Sequence, residues 1–242
     1  MKNLKIIKSK EADNYFKRNL KFYNSVSEKR GEDDYRIIDL IKTNRIKPKS
    51  ILEIGCANGI QLNQYQEILN TKVNYGIDLS SKAINSGKKK FKKLKLLKLS
   101  SLEINKIKIN FDLIICGFLL YLLDREYIFG QFDLIYKKLN SNGYLIVQDF
   151  DPLFKHTNTS KHNKNLKSFK MSYDNFLEES GLFKMIYKIK NSTTSTDKRK
   201  FKSDDISLTL FKKIDFVSVY PENLETLSNV KVNNFKTQNS MY

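Results

Sequence analysis

The sequence predicts an α/β fold, a mostly parallel β-sheet covered by helices, and three observations support that prediction. Short apolar runs of strand character alternate with longer amphipathic segments, the order that builds parallel sheets from βαβ units. The run Ile51-Leu52-Glu53-Ile54 leads into a glycine turn, Gly55-Cys56-Ala57-Asn58-Gly59, and then into a helical segment. The 242 residues are 40% hydrophobic and 12% aromatic, enough apolar surface for one substantial core and an argument against wholesale disorder.

Taken in order, an early helix is expected near residues 33–43, with Pro48 as its stop. Strands are expected at 50–55, 73–78, 94–99, 111–116 and 143–149, with helices at 60–69, 80–92 and 125–139 between them. Ser80 and Asp124 read as N-caps, because a short side-chain oxygen there accepts from the free N–H groups of a first helical turn. Residues 183–190 and 206–213 read as two strands with no helix between them, a hairpin at one sheet edge. The polar stretch 191–205 joining them is expected to be mobile, and residues 214–242 an irregular tail.

Composition narrows the function. Two cysteines exclude a disulfide scaffold and point to a reducing cytoplasm. The longest uncharged apolar stretch, residues 113–123, falls short of the roughly 20 residues a membrane-spanning helix needs. Lysines interrupt the first apolar patch, so no secretory signal is expected. A net charge of +18 raises nucleic acid and anionic substrates as partners, but lysines spread so evenly read equally as compositional bias. The densest basic run, residues 88–95, reads as a solvated helix face.

The glycine turn lets the backbone approach a ligand at the carboxyl end of the first strand. Nineteen residues beyond Gly59, the second strand ends in Asp78, where an acid meets a ribose diol. A dinucleotide site needs G-x-G-x-x-G to seat a pyrophosphate, whereas Ala57 holds the middle position and Glu53 adds negative charge. No phosphate-loop motif occurs either. S-adenosylmethionine has no phosphate and carries a cationic sulfonium and ammonium, which an acid at this turn favours. Chance accounts for Gly55 and Gly59 alone, less readily for both with Glu53 and Asp78.

On these residues the chain resembles the class I S-adenosylmethionine-dependent methyltransferases over roughly residues 11–213. The resemblance implies a Rossmann-like, seven-stranded, mostly parallel sheet with helices on both faces and an antiparallel last strand at 206–213. Within a domain of residues 1–213 it implies a helical cap at 1–45 and an acceptor-side insertion at 150–182. S-adenosylmethionine would lie against Glu53, Gly55, Cys56, Ala57 and Gly59, then Asp78 and Leu79, then Ser101 and Leu102, and finally Cys116, Gly117 and Phe118. In the family an acid after the third strand accepts from the adenine amino group. Here Leu99-Ser100-Ser101-Leu102-Glu103 leaves that contact to Ser101 or to Glu103.

The runs 111–126 and 143–152, with 13–19, Lys161-His162 and 168–173, are similar to a bacterial subgroup associated with sugar, lipopolysaccharide and surface-glycan biosynthesis. That implies a small or carbohydrate-type acceptor, such as a nucleotide-activated sugar. Asp149, ending the fifth strand, reads either as facing an incoming nucleophile or as a turn acid. His162 in the insertion reads as a general base, the work histidine most often does, or as a solvated loop residue, the reading also given to His156. Lys170 and Tyr173 are candidates for holding a phosphate or carboxylate. Cys56 and Cys116 read as small packing residues, and no spacing suggests a metal site.

Two further readings stand beside the small-acceptor one. An RNA methyltransferase would interleave aromatic platforms with its basic charge, which this sequence lacks, and Cys116-Gly117-Phe118 replaces the family's amino-methylating signature. A cofactor-binding protein without catalysis is suggested by Ser101 at the expected acidic position.

Overall fold

A computed structural model describes residues 3–24, 32–191 and 205–214, without the side chains of residues 9, 22, 24, 32–35 and 191. The strands are β1 (Ser50–Ile54), β2 (Val73–Asp78), β3 (Lys95–Lys98), β4 (Phe111–Gly117), β5 (Leu139–Phe150), β6 (His156–Thr159), β7 (Lys167–Lys170), β8 (Phe183–Asn191) and β9 (Ile206–Lys213). Seven of them form one sheet in the order β3-β2-β1-β4-β5-β9-β8. Neighbours from β3 to β5 run parallel, and β9 lies antiparallel between β5 and β8. The edge hairpin and the antiparallel last strand expected from the sequence are both present. The connection 192–204 and the tail 215–242 lie outside the described residues.

All five residues of β1 are buried because helices cover both faces of the sheet, and a strand covered on both sides reads as a continuous apolar run. Successive side chains point to opposite faces and divide the core in two. Leu52, Ile54, Ile114, Cys116 and Val147 pack with Phe132 and Ile135 of α7 (Ile128–Lys138). Ile51, Leu113, Ile115 and Ile146 pack on the other face with Ile38 and Ile41 of α4 (Glu32–Thr43), Leu62 and Tyr65 of α5 (Ile60–Leu69), and Ile84 of α6 (Ser81–Lys90). The early helix ends at Thr43, ahead of Pro48, because Arg45 turns left-handed at φ 55°.

The expected insertion holds a two-stranded antiparallel ribbon, β6 with β7, and the short α8 (Asp174–Glu179). The amino-terminal cap is three short helices, α1 (Asn3–Ile6), α2 (Ala12–Arg18) and α3 (Leu20–Asn24), with a π-helical turn at Ile7–Glu11 between the first two. Ser80 caps α6 as expected, accepting the Ala83 N–H at 3.0 Å. Asp13 adds to that cap from α2, accepting the Ser80 hydroxyl at 2.7 Å and the Lys82 N–H at 3.0 Å.

Asp124 corrects the sequence reading. Its side chain makes no cap for the turn that follows, a 3-10 helix at Arg125–Tyr127. Instead its carboxylate accepts the N–H groups of Asn3 at 3.0 Å and Leu4 at 3.1 Å, the free donors at the start of α1. Asn3 continues the seam, its Nδ2 donating to the Leu122 and Lys167 carbonyls at 2.9 and 2.6 Å while its Oδ1 accepts the Lys167 N–H at 3.1 Å. One residue thus ties the cap to the loop after β4 and to the ribbon.

Helix α6 presses on the β1 turn so closely that a Cβ at Gly87 would lie 2.2 Å from the Asn58 carbonyl oxygen and 2.5 Å from Leu96 Cδ1. Replacing an exposed helix glycine with alanine normally stabilises by about 1 kcal/mol. At Gly87 the sign reverses, because backbone stands in the way: Gly87→Ala lowers stability by about 1–3 kcal/mol, the usual cost of overpacking. The urea unfolding midpoint measures it, and an unchanged or raised midpoint would show that α6 has room to retreat.

Candidate active site

The chain leaves β1 through three left-handed residues, Gly55 (φ 80°), Ala57 (φ 48°) and Gly59 (φ 77°). The Ile77 carbonyl at the end of β2 accepts the N–H groups of Gly55 and Cys56 at 2.9 and 3.0 Å. Asp78 completes the clamp, Oδ2 accepting the Ala57 N–H at 2.9 Å and Oδ1 the Ser80 N–H at 2.7 Å. Burial pushes the Asp78 carboxyl above its ordinary value, and the Ser80 and Ala57 N–H bonds work against that by favouring the anion. The Cys56 thiol is also held up, first by burial and then by the charges of Glu53 and Asp78, so it stays protonated.

A cavity of about 1190 Å³ opens over the carboxyl ends of the parallel strands. Glu53, Gly55, Cys56, Ala57, Asp78, Leu79, Ser101, Gly117, Phe118, His162 and Lys170 line it, bringing together most of the residues singled out in the sequence. Glu53 is only 5% exposed. Ser101 reaches the cavity and Glu103 does not: the Glu103 carboxylate accepts the Ser100 N–H at 3.4 Å in a capping box and is held by Lys106.

Five expected residues stand outside the wall. Gly59 begins α5 and faces the Leu94 and Leu96 side chains, where a Cβ would come within 2.9 Å of Leu96. Leu102 sends its N–H back to Ser100 Oγ at 3.3 Å. Cys116 points into the α7 side of the core. Tyr173 is buried there too, its hydroxyl accepting from Arg125 Nη1 at 2.9 Å and donating to the Phe169 carbonyl at 2.5 Å, so it braces the loop after β4 and does not reach a ligand.

Asp149 is the main correction. It is 2% exposed; Oδ2 accepts the Leu120 and Tyr121 N–H groups at 2.8 and 3.4 Å, and Oδ1 accepts the Phe150 N–H at 2.8 Å. Burial pushes its pKa up to about 7 against the backbone N–H groups, those of Phe150, Leu120, Tyr121 and Leu119, that favour the anion. The carboxylate organises the turn after β4 and does not line the cavity, the place of the turn acid among its two readings.

That turn supplies part of an aromatic wall of which the sequence reading had Phe118 but not Tyr121 or Phe150. Phe118 meets the Phe150 ring edge-on at 5.9 Å, Tyr121 meets it at 5.0 Å, and Lys170 Nζ lies 4.0 Å from its centre. Burial, then the neighbouring Tyr15 and Asp149, raise the Tyr121 hydroxyl's pKa, so it serves as a hydrogen-bonding and packing group. The cap forms the roof with Leu4, Ile7, Glu11, Tyr15, Phe16 and Arg18. Glu11 pairs with Arg18 at 2.5 Å and accepts from Asn163 of the ribbon turn at 3.4 Å. The signals for this roof were the helical cap expected at 1–45 and the run 13–19, neither of them given a role at the site. His162 is exposed at the ribbon turn, while His156 opens β6 with Nδ1 2.9 Å from the Phe154 carbonyl and takes no part in the wall.

The comparisons with known proteins agree with this geometry. The uncharacterized protein RP028 of Rickettsia prowazekii (strain Madrid E) is 29% identical over 158 residues, 62% of this chain, and the match spans 63% of that protein's length. N-methyltransferase NodS from Bradyrhizobium japonicum WM9, solved with S-adenosyl-l-homocysteine, superposes with a TM-score of 0.60 at 16% identity over 84% of this chain and 99% of its own. The 1,6-didemethyltoxoflavin-N1-methyltransferase of Burkholderia thailandensis, solved with 1,6-didemethyltoxoflavin and S-adenosylhomocysteine, gives 0.65 at 11% identity over 88% and 89%. At such identities these structures speak to the fold. Among the described residues no helix is long and apolar enough to cross a membrane. A family model described as a methyltransferase domain matches residues 45–203, more than half of the sequence and every strand from β1 to β8, and the chain belongs to that methyltransferase family.

Proposed function

We propose that the protein transfers a methyl group from S-adenosylmethionine to a small acceptor bearing an anionic group, with a nucleotide-activated sugar as the class that best suits the site. The observation that carries this reading is the division of charge within one cavity. Carboxylates of Glu53 and Asp78 lie at the ends of β1 and β2, and Lys167, Lys170 and His162 line the ribbon side. A ligand with cationic sulfonium and ammonium groups is favoured at the first end and an anion at the second. Roofing by the cap and ribbon favours a small acceptor over RNA. The structures solved with S-adenosylhomocysteine, one beside a small heterocycle, support the same reading.

The residues present fit the cofactor. Asp78 keeps a lone pair on each oxygen for the ribose hydroxyls after accepting its two backbone N–H bonds. Gly55 admits the chain of the ligand, and a Cβ at Gly117 would meet nothing within 4 Å, so the end of β4 is open where the acceptor enters. When bound, the cofactor supplies an electrophilic methyl group on its sulfonium. Phe118, Tyr121 and Phe150 shape the wall at that point and exclude water. Lys170, 7% exposed over the Phe150 ring, holds the acceptor's anionic group. His162 takes the proton from the accepting hydroxyl, and Asp149 acts as a positioning residue through the Leu120–Tyr121 turn.

Two measurements test the two halves of the site. Asp78→Ala weakens S-adenosylhomocysteine binding about tenfold or more, since a hydrogen bond to a charged group contributes about 1.5–3 kcal/mol. Calorimetry on folded variant and wild type decides it, and equal affinities would move the ribose elsewhere. For the acceptor half, release of S-adenosylhomocysteine is followed with a panel of nucleotide sugars, sugar phosphates and aromatic carboxylates. With the acceptor so found, His162→Ala lowers turnover by about 10²–10⁴-fold, the usual loss for a general base, while cofactor affinity stays within experimental error. Full activity in that variant removes His162 from the mechanism.

A further inference from the structure

The sheet order fixes how an extended nucleoside must lie, given that the cofactor is the one proposed above. The ends of β4, β1, β2 and β3 stand side by side, and three strand spacings of about 4.8 Å set the width of the shelf. The charged amino-acid end belongs with Glu53 and the open β4 end, and the ribose with Asp78. The base is then left over the end of β3, where Leu99, Ser100 and Ser101 line the cavity.

Among the described residues that line that end of the cavity there is no carboxylate. Glu103 is committed to its capping box and to Lys106. Ser100 Oγ accepts the Leu102 N–H at 3.3 Å as the cap, which withdraws that N–H from a ring nitrogen, while the Ser100 hydroxyl proton can still turn to an acceptor. Of the two serines lining that end of the cavity, Ser101 is the more exposed, 7% against 1%, and its carbonyl is already taken by Gln131 Nε2 at 3.3 Å.

A carboxylate only accepts hydrogen bonds, whereas a hydroxyl accepts or donates by rotating its proton. A carboxylate at this position would bond the exocyclic amino group of adenine and repel the carbonyl oxygen that replaces it in hypoxanthine. Ser101 bonds either. We propose that Ser101 makes this site tolerant at the base, so that the protein binds the hypoxanthine form of its cofactor about as well as the adenine form. The chemical class of ligand is therefore an S-purinyl-ribosyl sulfonium or thioether with an amino or an oxo group on the base.

The test is calorimetric binding of S-adenosylhomocysteine and S-inosylhomocysteine, the latter made by deamination, to wild type and two variants. Wild type is expected to hold the two ligands within about threefold of each other. Ser101→Asp shifts the ratio towards adenine by about 10-fold or more, as leaving a buried polar group opposed or unpaired does. Ser101→Ala weakens both ligands alike, because each loses one bond, and its affinity ratio stays near that of wild type. A wild-type preference for adenine above about 10-fold, or an unchanged ratio in a folded, ligand-binding Ser101→Asp, overturns the inference while leaving the cofactor assignment intact. No binding of S-adenosylhomocysteine to wild type overturns both.

Discussion

The turn leaving β1 is held in place by the end of β2: the Ile77 carbonyl accepts two N–H groups from it and the Asp78 carboxylate a third. Left-handed residues at 55, 57 and 59 bend the chain sharply enough for this, and the bend sets α5 back from the strand ends and leaves the cavity. Asp78 therefore has a structural task before it has a ligand. Its second oxygen orients the first turn of α6 through Ser80, and α6 in turn rests on Asn58 through Gly87. Turn, strand end and helix form a closed loop of contacts, so a change at any of them is felt at the others.

Around that fixed point the cavity is electrically uneven. The strand-end half is built from backbone with two carboxylates, and the roof half from side chains of the cap and ribbon, among them Lys167, Lys170, Tyr15 and Phe16, with the Glu11 carboxylate there paired to Arg18. A methyl donor with two positive groups and an acceptor with negative charge would each be drawn to its own end, and Phe118, Tyr121 and Phe150 stand between them.

How much of this the sequence displayed depends on the range of the forces involved. Strands β1 to β5 and the helices between them follow from periodicity, and the glycine turn from residue type, because both are settled within a few residues. Asp124 looked like a cap for its own helix, since sequence shows only neighbours; the donors it serves belong to Asn3 and Leu4, about 120 residues away. Asp149 was ambiguous for a related reason. An acid ending a strand reads alike whether it points into a cleft or under a turn, and three backbone N–H groups decide the matter. Strands β6 and β7, His-Thr-Asn-Thr and Lys-Ser-Phe-Lys, have no apolar alternation to betray them and pair mainly with each other.

The same contrast explains why the roof of the cavity was harder to read than its strand-end half. The strand-end residues fall within a few positions of four strand ends, so a linear pattern exposes them. The other side of the cavity is assembled from residues near 4–18, 118–121, 148–150 and 160–170, and Asn3 helps bring them together by joining the cap, the loop after β4 and the ribbon with hydrogen bonds between 2.6 and 3.1 Å. The shape of that side depends on how separate segments are stitched together, so a substitution at the Asn3 seam alters the cavity without touching most of the residues that line it.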